Sequence, residues 1–167
     1  MNPYFTINKK KIFISYPIDH YVYIYDLDGN FLEQKLVSAS ELKELPTPLN
    51  YSKIKNHEYV RNWWIPIPFY ESFNYHSKSH LYTRIFHQSQ PLKKINGKIN
   101  DGSNRKGYII IYDELFNKLG EVAFDQGQLG VYKSLPLSDG YLIAPNEKHW
   151  KNENEFVEKY VYKFQKN

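Results

Sequence analysis

His20-Tyr-Val-Tyr-Ile-Tyr-Asp26 lies without a gap on Gly107-Tyr-Ile-Ile-Ile-Tyr-Asp113, 87 residues further along the chain. Both stretches are runs of β-branched and aromatic residues, which fit a pleated, half-buried surface, and both stop at an Asp. The correspondence continues past the turn, where Asn30 falls on Asn117 and Leu32 on Leu119. A weaker third copy, Tyr160-Val-Tyr-Lys-Phe164, follows the second at a spacing of 52 residues. Recurrence of a small β unit implies stacking, because a unit that cannot bury its own apolar face covers it with a copy.

Working outward from the first copy, residues 4–7, 11–16, 21–25 and 31–37 read as consecutive strands. Asp26-Leu-Asp-Gly-Asn30 is a hairpin signal, since Gly29 and Asn30 tolerate positive φ. Around the second copy, 69–75, 81–88, 108–112 and 118–124 form another four-stranded meander, with a polar loop over 91–106. A third meander takes 129–135, 141–144 and 156–164. The expected architecture is all-β: a partial β-propeller of about three antiparallel meanders, over residues 4–37, 66–125 and 129–165 of a single unit. The insertion at 38–65 begins with Ser38-Ala-Ser-Glu41, a capping-box pattern for a short helix near 38–46 that Pro46 and Pro48 stop. Residues 50–62 read as polar loop, and Trp63-Trp-Ile-Pro-Ile-Pro68 as an edge or extended approach.

Composition sets outer bounds. The 167 residues suit one domain, and 16 Tyr and 10 Phe favour strands. The net charge of +4 arises from 22 basic and 18 acidic residues that are interspersed, which reads as solubility rather than as a nucleic-acid footprint. Without cysteine there is no disulfide, thiolate metal site or Cys nucleophile. Met1-Asn-Pro-Tyr-Phe-Thr lacks the pattern of a signal peptide, and no run approaches the ~18 apolar residues of a membrane span, so the chain as written reads as cytoplasmic.

Closed propellers use roughly 4–8 blades, so three cannot close a ring. Each terminal sheet would leave an apolar face open. At about 25 cal/mol per Å², several hundred Å² forgoes on the order of 10 kcal/mol per face. That is comparable to a typical net domain stability of about 5–15 kcal/mol. Completing blades are therefore expected from a second copy or another chain.

Lys10-Lys-Ile-Phe-Ile-Ser-Tyr-Pro17, Tyr21-Val-Tyr-Ile-Tyr-Asp-Leu-Asp-Gly29 and the hairpin Phe73-Asn-Tyr-His76…Leu81-Tyr-Thr-Arg-Ile85 carry a family resemblance. The chain resembles a family of six-bladed propellers of Bacteroidetes-type bacteria (domain of unknown function 4221-like), matched to the family's C-terminal half. That resemblance implies an exported or periplasmic parent and supplies no catalytic residues.

Candidate site residues divide between two readings each. Trp63, Trp64 and Trp150 flank insertions, where indoles stack on sugars or peptides, or else seal gaps between blades. Arg84, among Tyr75, Tyr82 and Phe86, either grips an anionic ligand or is a structural cation stacked on rings and bonded to carbonyls between blades; the structural reading is favoured. His76 and His80 bracket a turn and are weak metal candidates, since ligation needs three or four convergent groups. Asp26, Asp28 and Asp113 read as turn acceptors rather than Ca²⁺ ligands. Lys93, Lys94, Lys98, Arg105 and Lys106 read as a solvated loop. No hydrolase, phosphate-loop or dinucleotide motif is present, and no cofactor is expected. The functional expectation is a non-catalytic module that binds a small molecule, glycan or protein. The alternatives are a lactonase-like, metal-dependent hydrolase active only as a complete ring, and a truncated remnant.

Overall fold

The computed structural model describes residues 2–40, 46–102, 105–124, 134–143 and 160–164. Three antiparallel sheets are stacked face to face. Sheet 1 holds β1 (Tyr4–Asn8), β2 (Lys11–Ser15), β3 (Tyr21–Asp26) and β4 (Phe31–Leu36) in chain order. Sheet 2 repeats that order with β5 (Phe69–His76), β6 (Leu81–His87), β7 (Gly107–Tyr112) and β8 (Lys118–Phe124). Sheet 3 has β9 (Ser134–Leu137), β10 (Gly140–Ile143) and β11 (Tyr160–Lys163), ordered β11-β10-β9. The first strands of the sheets adjoin, β1 against β5 and β5 against β9, as in the inner rim of a propeller. The fold is a partial propeller of meanders.

The 87-residue spacing is matched bond for bond at the turns. Asp26 Oδ1 accepts from Asp28 N and Asn30 N, and Asn30 Nδ2 donates to Asp26 Oδ2 at 2.8 Å. Asp113 makes the same set with Leu115 N, Asn117 N and Asn117 Nδ2. Both carboxylates are thus turn acceptors. Even the ladder irregularity recurs, between Ile24 and Tyr25 in one sheet and Ile111 and Tyr112 in the other.

The reading of the insertion at 38–65 needs correction. Ser38 and Ala39 are not helical, and residues 41–45 lie outside the described set. Ser38 instead supplies a carbonyl to the Tyr112 hydroxyl at 3.0 Å, while Glu121 takes the Ser40 N–H. The helix of the insertion lies at α1 (His57–Trp64), in the stretch read as loop, after a 3₁₀ turn at Tyr51–Lys53. Asn56 caps α1, its side chain accepting from Tyr59 N at 3.0 Å, and Pro66 follows its C-terminus. Trp63 and Trp64 therefore end a helix and form no edge strand.

Aromatic packing joins sheets 1 and 2, with Phe13, Val22, Ile24 and Val37 against Tyr70, Phe73, Tyr82, Phe86, Ile110 and Tyr112. Arg84 crosses this interface fully buried. Its Nη1 donates to His20 and Val37 carbonyls, and its Nη2 to those of Tyr16 and Asp19. The guanidinium lies 3.6 Å from the Tyr70 ring centroid, and burial pushes its pKa down to about 10. Arg105, expected in a solvated loop, is likewise buried. It donates to the carbonyls of Gly102, Ile67, Gln88 and Trp64, fastening α1 to the 88–106 loop.

Sheets 2 and 3 share Ile85, Ile109, Phe124, Tyr141 and Ile143, together with a buried polar chain. His76 Nδ1 lies 2.6 Å from the Leu137 carbonyl, which can only accept, so that nitrogen carries the proton. The other ring nitrogen of neutral His76 accepts from Thr83 Oγ1 at 2.8 Å. Thr83 then accepts from the Tyr141 hydroxyl at 2.7 Å, and Tyr141 from Asn74 Nδ2 at 2.9 Å. One carbonyl sets the direction of the whole chain.

Candidate functional site

Side chains alternate across a strand, so register decides which residues share a face. In sheet 1, Phe13 pairs with Ile24 and Ser15 with Val22, and these point at sheet 2. The opposite face takes Phe5 opposite Ile14, Ile7 opposite Ile12, Ile14 opposite Tyr23 and Tyr21 opposite Leu36. That face is open. Phe5 is 72% exposed, Ile7 58%, Phe31 55% and Leu36 58%. At the other end of the stack, Leu142 pairs with Leu135 and with Val161, on the face of sheet 3 turned away from Tyr141. Leu135 and Val161 are more than half exposed. Both terminal faces are thus apolar and wet, unlike the isolated surface apolar groups that any protein carries.

A second feature lies at the end of the stack that carries the tight hairpins. A cleft of about 250 Å³ between sheets 1 and 2 is bordered by Lys9, Lys11, Lys35, Glu33 and Glu114, over Phe13, Tyr82 and Phe116. Lys9 Nζ meets Glu114 at 2.8 Å and Lys35 meets Glu33 at 2.6 Å. Each carboxyl is held below its ordinary pKa chiefly by its lysine partner. Among the described residues, the non-glycines with positive φ are Lys9, Lys10, His80 and Phe116, all in hairpin turns at this end. Such conformations cost about 1–3 kcal/mol each and collect where side chains are needed for more than the turn. Lys9-Lys10 stands where a two-residue hairpin favours Asn-Gly, the one unusual feature of this cleft that the sequence carries.

The sequence-derived candidates do not converge. Trp63 Nε1 donates to the Thr47 carbonyl at 2.9 Å, and Trp64 packs against Phe69 at 4.1 Å between ring centroids, the rings tilted by 36°. Arg84 lies inside the sheet 1–sheet 2 interface, with four of its N–H groups on carbonyls. Trp150 lies outside the described residues. His76 is buried between sheets 2 and 3, whereas His80 is exposed at its turn beside Tyr75 and Glu114. Among the described residues no three His, Cys, Asp or Glu side chains gather into a metal-binding group, and no helix is long and apolar enough to cross a membrane.

No family model matches the chain, and no curated protein matches it. Among solved structures it is similar to a member of the DUF4221 family from Bacteroides vulgatus, with a TM-score of 0.71 at 13% identity. The similarity covers 97% of this chain and 44% of that one. The chain thus spans less than half the length of the protein it resembles in fold.

Proposed function

We propose that this chain is a non-catalytic interaction module, a three-sheet segment of a propeller whose terminal faces dock further sheets. The observation that carries the reading is the open face of sheet 1, where Phe5, Ile7, Phe31 and Leu36 are each more than half exposed. The copied sequence strengthens it. Tyr21, Tyr23 and Tyr25 on that face correspond to Tyr108, Ile110 and Tyr112, and the latter set packs beneath sheet 1, with Ile110 at 0% exposure. The outer face of sheet 1 therefore has the side chains of a surface that elsewhere in this molecule is buried. The length of the DUF4221 structure beyond the region of similarity is consistent with a parent architecture holding further sheets.

The double substitution Phe5→Lys with Phe31→Lys tests the reading. A face that works in water tolerates lysines within about 0.5 kcal/mol, as surface positions do. A face that docks protein does not, so the reading predicts a lower melting temperature and loss of any assembled species. An unchanged melting temperature and unchanged mass would refute it.

A further inference from the structure

We infer that the hairpin-end cleft between sheets 1 and 2 is a binding site for a small aromatic acid, with the Lys11 ammonium receiving its carboxylate. The site is independent of whatever docks on the terminal faces.

The copied sheets differ at this place. Ile12 pairs with Tyr25 as Tyr82 pairs with Tyr112, the copy of Tyr25, so Lys11 stands where sheet 2 has the buried Leu81. Val22 and Ile24 pair with Lys35 and Glu33, whereas their copies Ile109 and Ile111 pair with Val122 and Gly120. Three positions without charge in one sheet thus carry charge in the other. All three lie on the face that each sheet turns to the next, with Ile24 in the core shared with sheet 2 and Ile109 in that shared with sheet 3. Ammonium and carboxylate groups resist burial, so these exchanges keep the junction of sheets 1 and 2 open to water at the hairpin end. The charges belong to the cleft and not to the repeat.

The way those charges are paired selects the ligand. Lys9 reaches from the β1–β2 turn to Glu114 in the β7–β8 turn, and Lys35 lies on Glu33 of its own strand. Glu114 Oε1 also accepts from the Tyr75 hydroxyl at 2.9 Å. Both carboxylates are therefore occupied. Lys11 forms no ion pair with any described residue. It is near enough to act on Glu33, whose carboxyl is held down first by the bond to Lys35 and last by the Lys11 charge. A cation entering the cleft must displace a lysine, whereas an anion meets an unpaired ammonium. Beneath the rim, the rings of Phe13, Tyr82 and Phe116 lie 5.0 to 6.1 Å apart between centroids. The Tyr82 hydroxyl already accepts from Asn8 Nδ2 at 2.8 Å. On such a floor a sugar would leave hydroxyls without partners, while a flat apolar ring leaves none. The volume of about 250 Å³ falls just under the roughly 300–1,000 Å³ of sites for drug-sized ligands, which suits one or two fused rings bearing one acid group.

The experiment is a titration of the isotope-labelled full chain, followed by amide NMR, with naphthoate, neutral naphthamide and cationic naphthylmethylammonium as probes. Naphthoate is expected to shift the amides of Lys9, Lys11, Leu115 and Phe116. It is expected to bind about fivefold more tightly than naphthamide, the upper end of what a half-exposed ion pair contributes. Lys11→Met keeps an unbranched stem without the charge, and is expected to bring the acid down to the affinity of the amide. An acid that binds Lys11→Met as tightly as wild type overturns the role of Lys11. An ammonium probe that binds more tightly than the acid overturns the assignment of an anion. Shifts confined to the open face at Phe5, Ile7 and Phe31, or no shift with any probe, overturn the site and leave the docking reading of the terminal faces standing.

Discussion

A guanidinium can hold four separated carbonyls at once, whereas an ammonium offers three donors from one point. Arg84 does this for Tyr16, Asp19, His20 and Val37, tying the β2–β3 loop and the end of β4 to sheet 2. Arg84→Lys is therefore expected to destabilise the fold by about 3–5 kcal/mol in urea unfolding, because buried carbonyls and a buried charge are left without partners. A loss below about 1 kcal/mol would show that the charge, not the fork, matters. Phe116 offers an opposite kind of test. It holds φ 67°, a bulky side chain in a region that favours glycine, while its ring stacks on Tyr82 at 5.0 Å. Phe116→Gly is expected to be less damaging than Phe116→Ala by about 1 kcal/mol, the reverse of the order in an ordinary strand, since both lose the ring and only glycine relieves the backbone. Equal losses would remove strain from the account. The aromatic neighbours of Arg84 in sequence made its structural role legible. Arg105 was not legible, because nothing in its polar loop shows that Trp64 and Phe69 lie over it, 5.4 and 4.9 Å from the guanidinium carbon.

At the scale of elements, the junction of sheets 2 and 3 depends on the protonation of one side chain. Burial lowers the pKa of His76 from its ordinary 6.5, so the folded protein resists protonation there while the unfolded chain accepts it. Below 6.5 the unfolded state binds more protons, so stability falls with acidification until the folded pKa is passed, and then levels. Protonation also turns His76 into a double donor. Thr83 Oγ1 then accepts from His76 as well as from Tyr141, and its own proton loses its acceptor. Unfolding midpoints measured from pH 8 to pH 5 are expected to decline below about 6.5 in the wild type and to flatten in His76→Gln, which keeps a donor and an acceptor without titrating. Parallel curves would assign the acid sensitivity elsewhere. Strands in sheets 1 and 2 were readable to within a residue or so, because alternation and Asp-to-Asn turns leave few choices of register. The helix was missed because its residues are largely polar, although Asn56 before Tyr59, Val60, Trp63 and Trp64 holds both a cap and a helical spacing. Ala39 and Ser40 open no helix for a physical reason: the Ser38 and Ser40 backbone is bonded to sheet 2 at Tyr112 and Glu121, which the local sequence cannot show.

At the scale of the whole molecule, apolar area and the alternation of side chains decide how the sheets stack. Each end of this stack has one packed face and one open apolar face, and the proposed docking starts from that condition. The copied runs made that legible from sequence, because residues buried in the second run recur on the open face of the first. They did not reveal a specific ligand site, since the hairpin-end cleft is assembled from Lys9, Glu33 and Glu114 on separate turns and strands. Hydroxyl-radical footprinting of the protein at working concentration tests the central claim most directly. Leu115 and Tyr51, 79% and 84% exposed and away from the sheet 1 face, set the reactivity of open side chains. Docked sheets predict that Phe5, Phe31 and Leu36 react several-fold more slowly than those references. Reaction at the rate their exposure in the single chain implies would contradict the account.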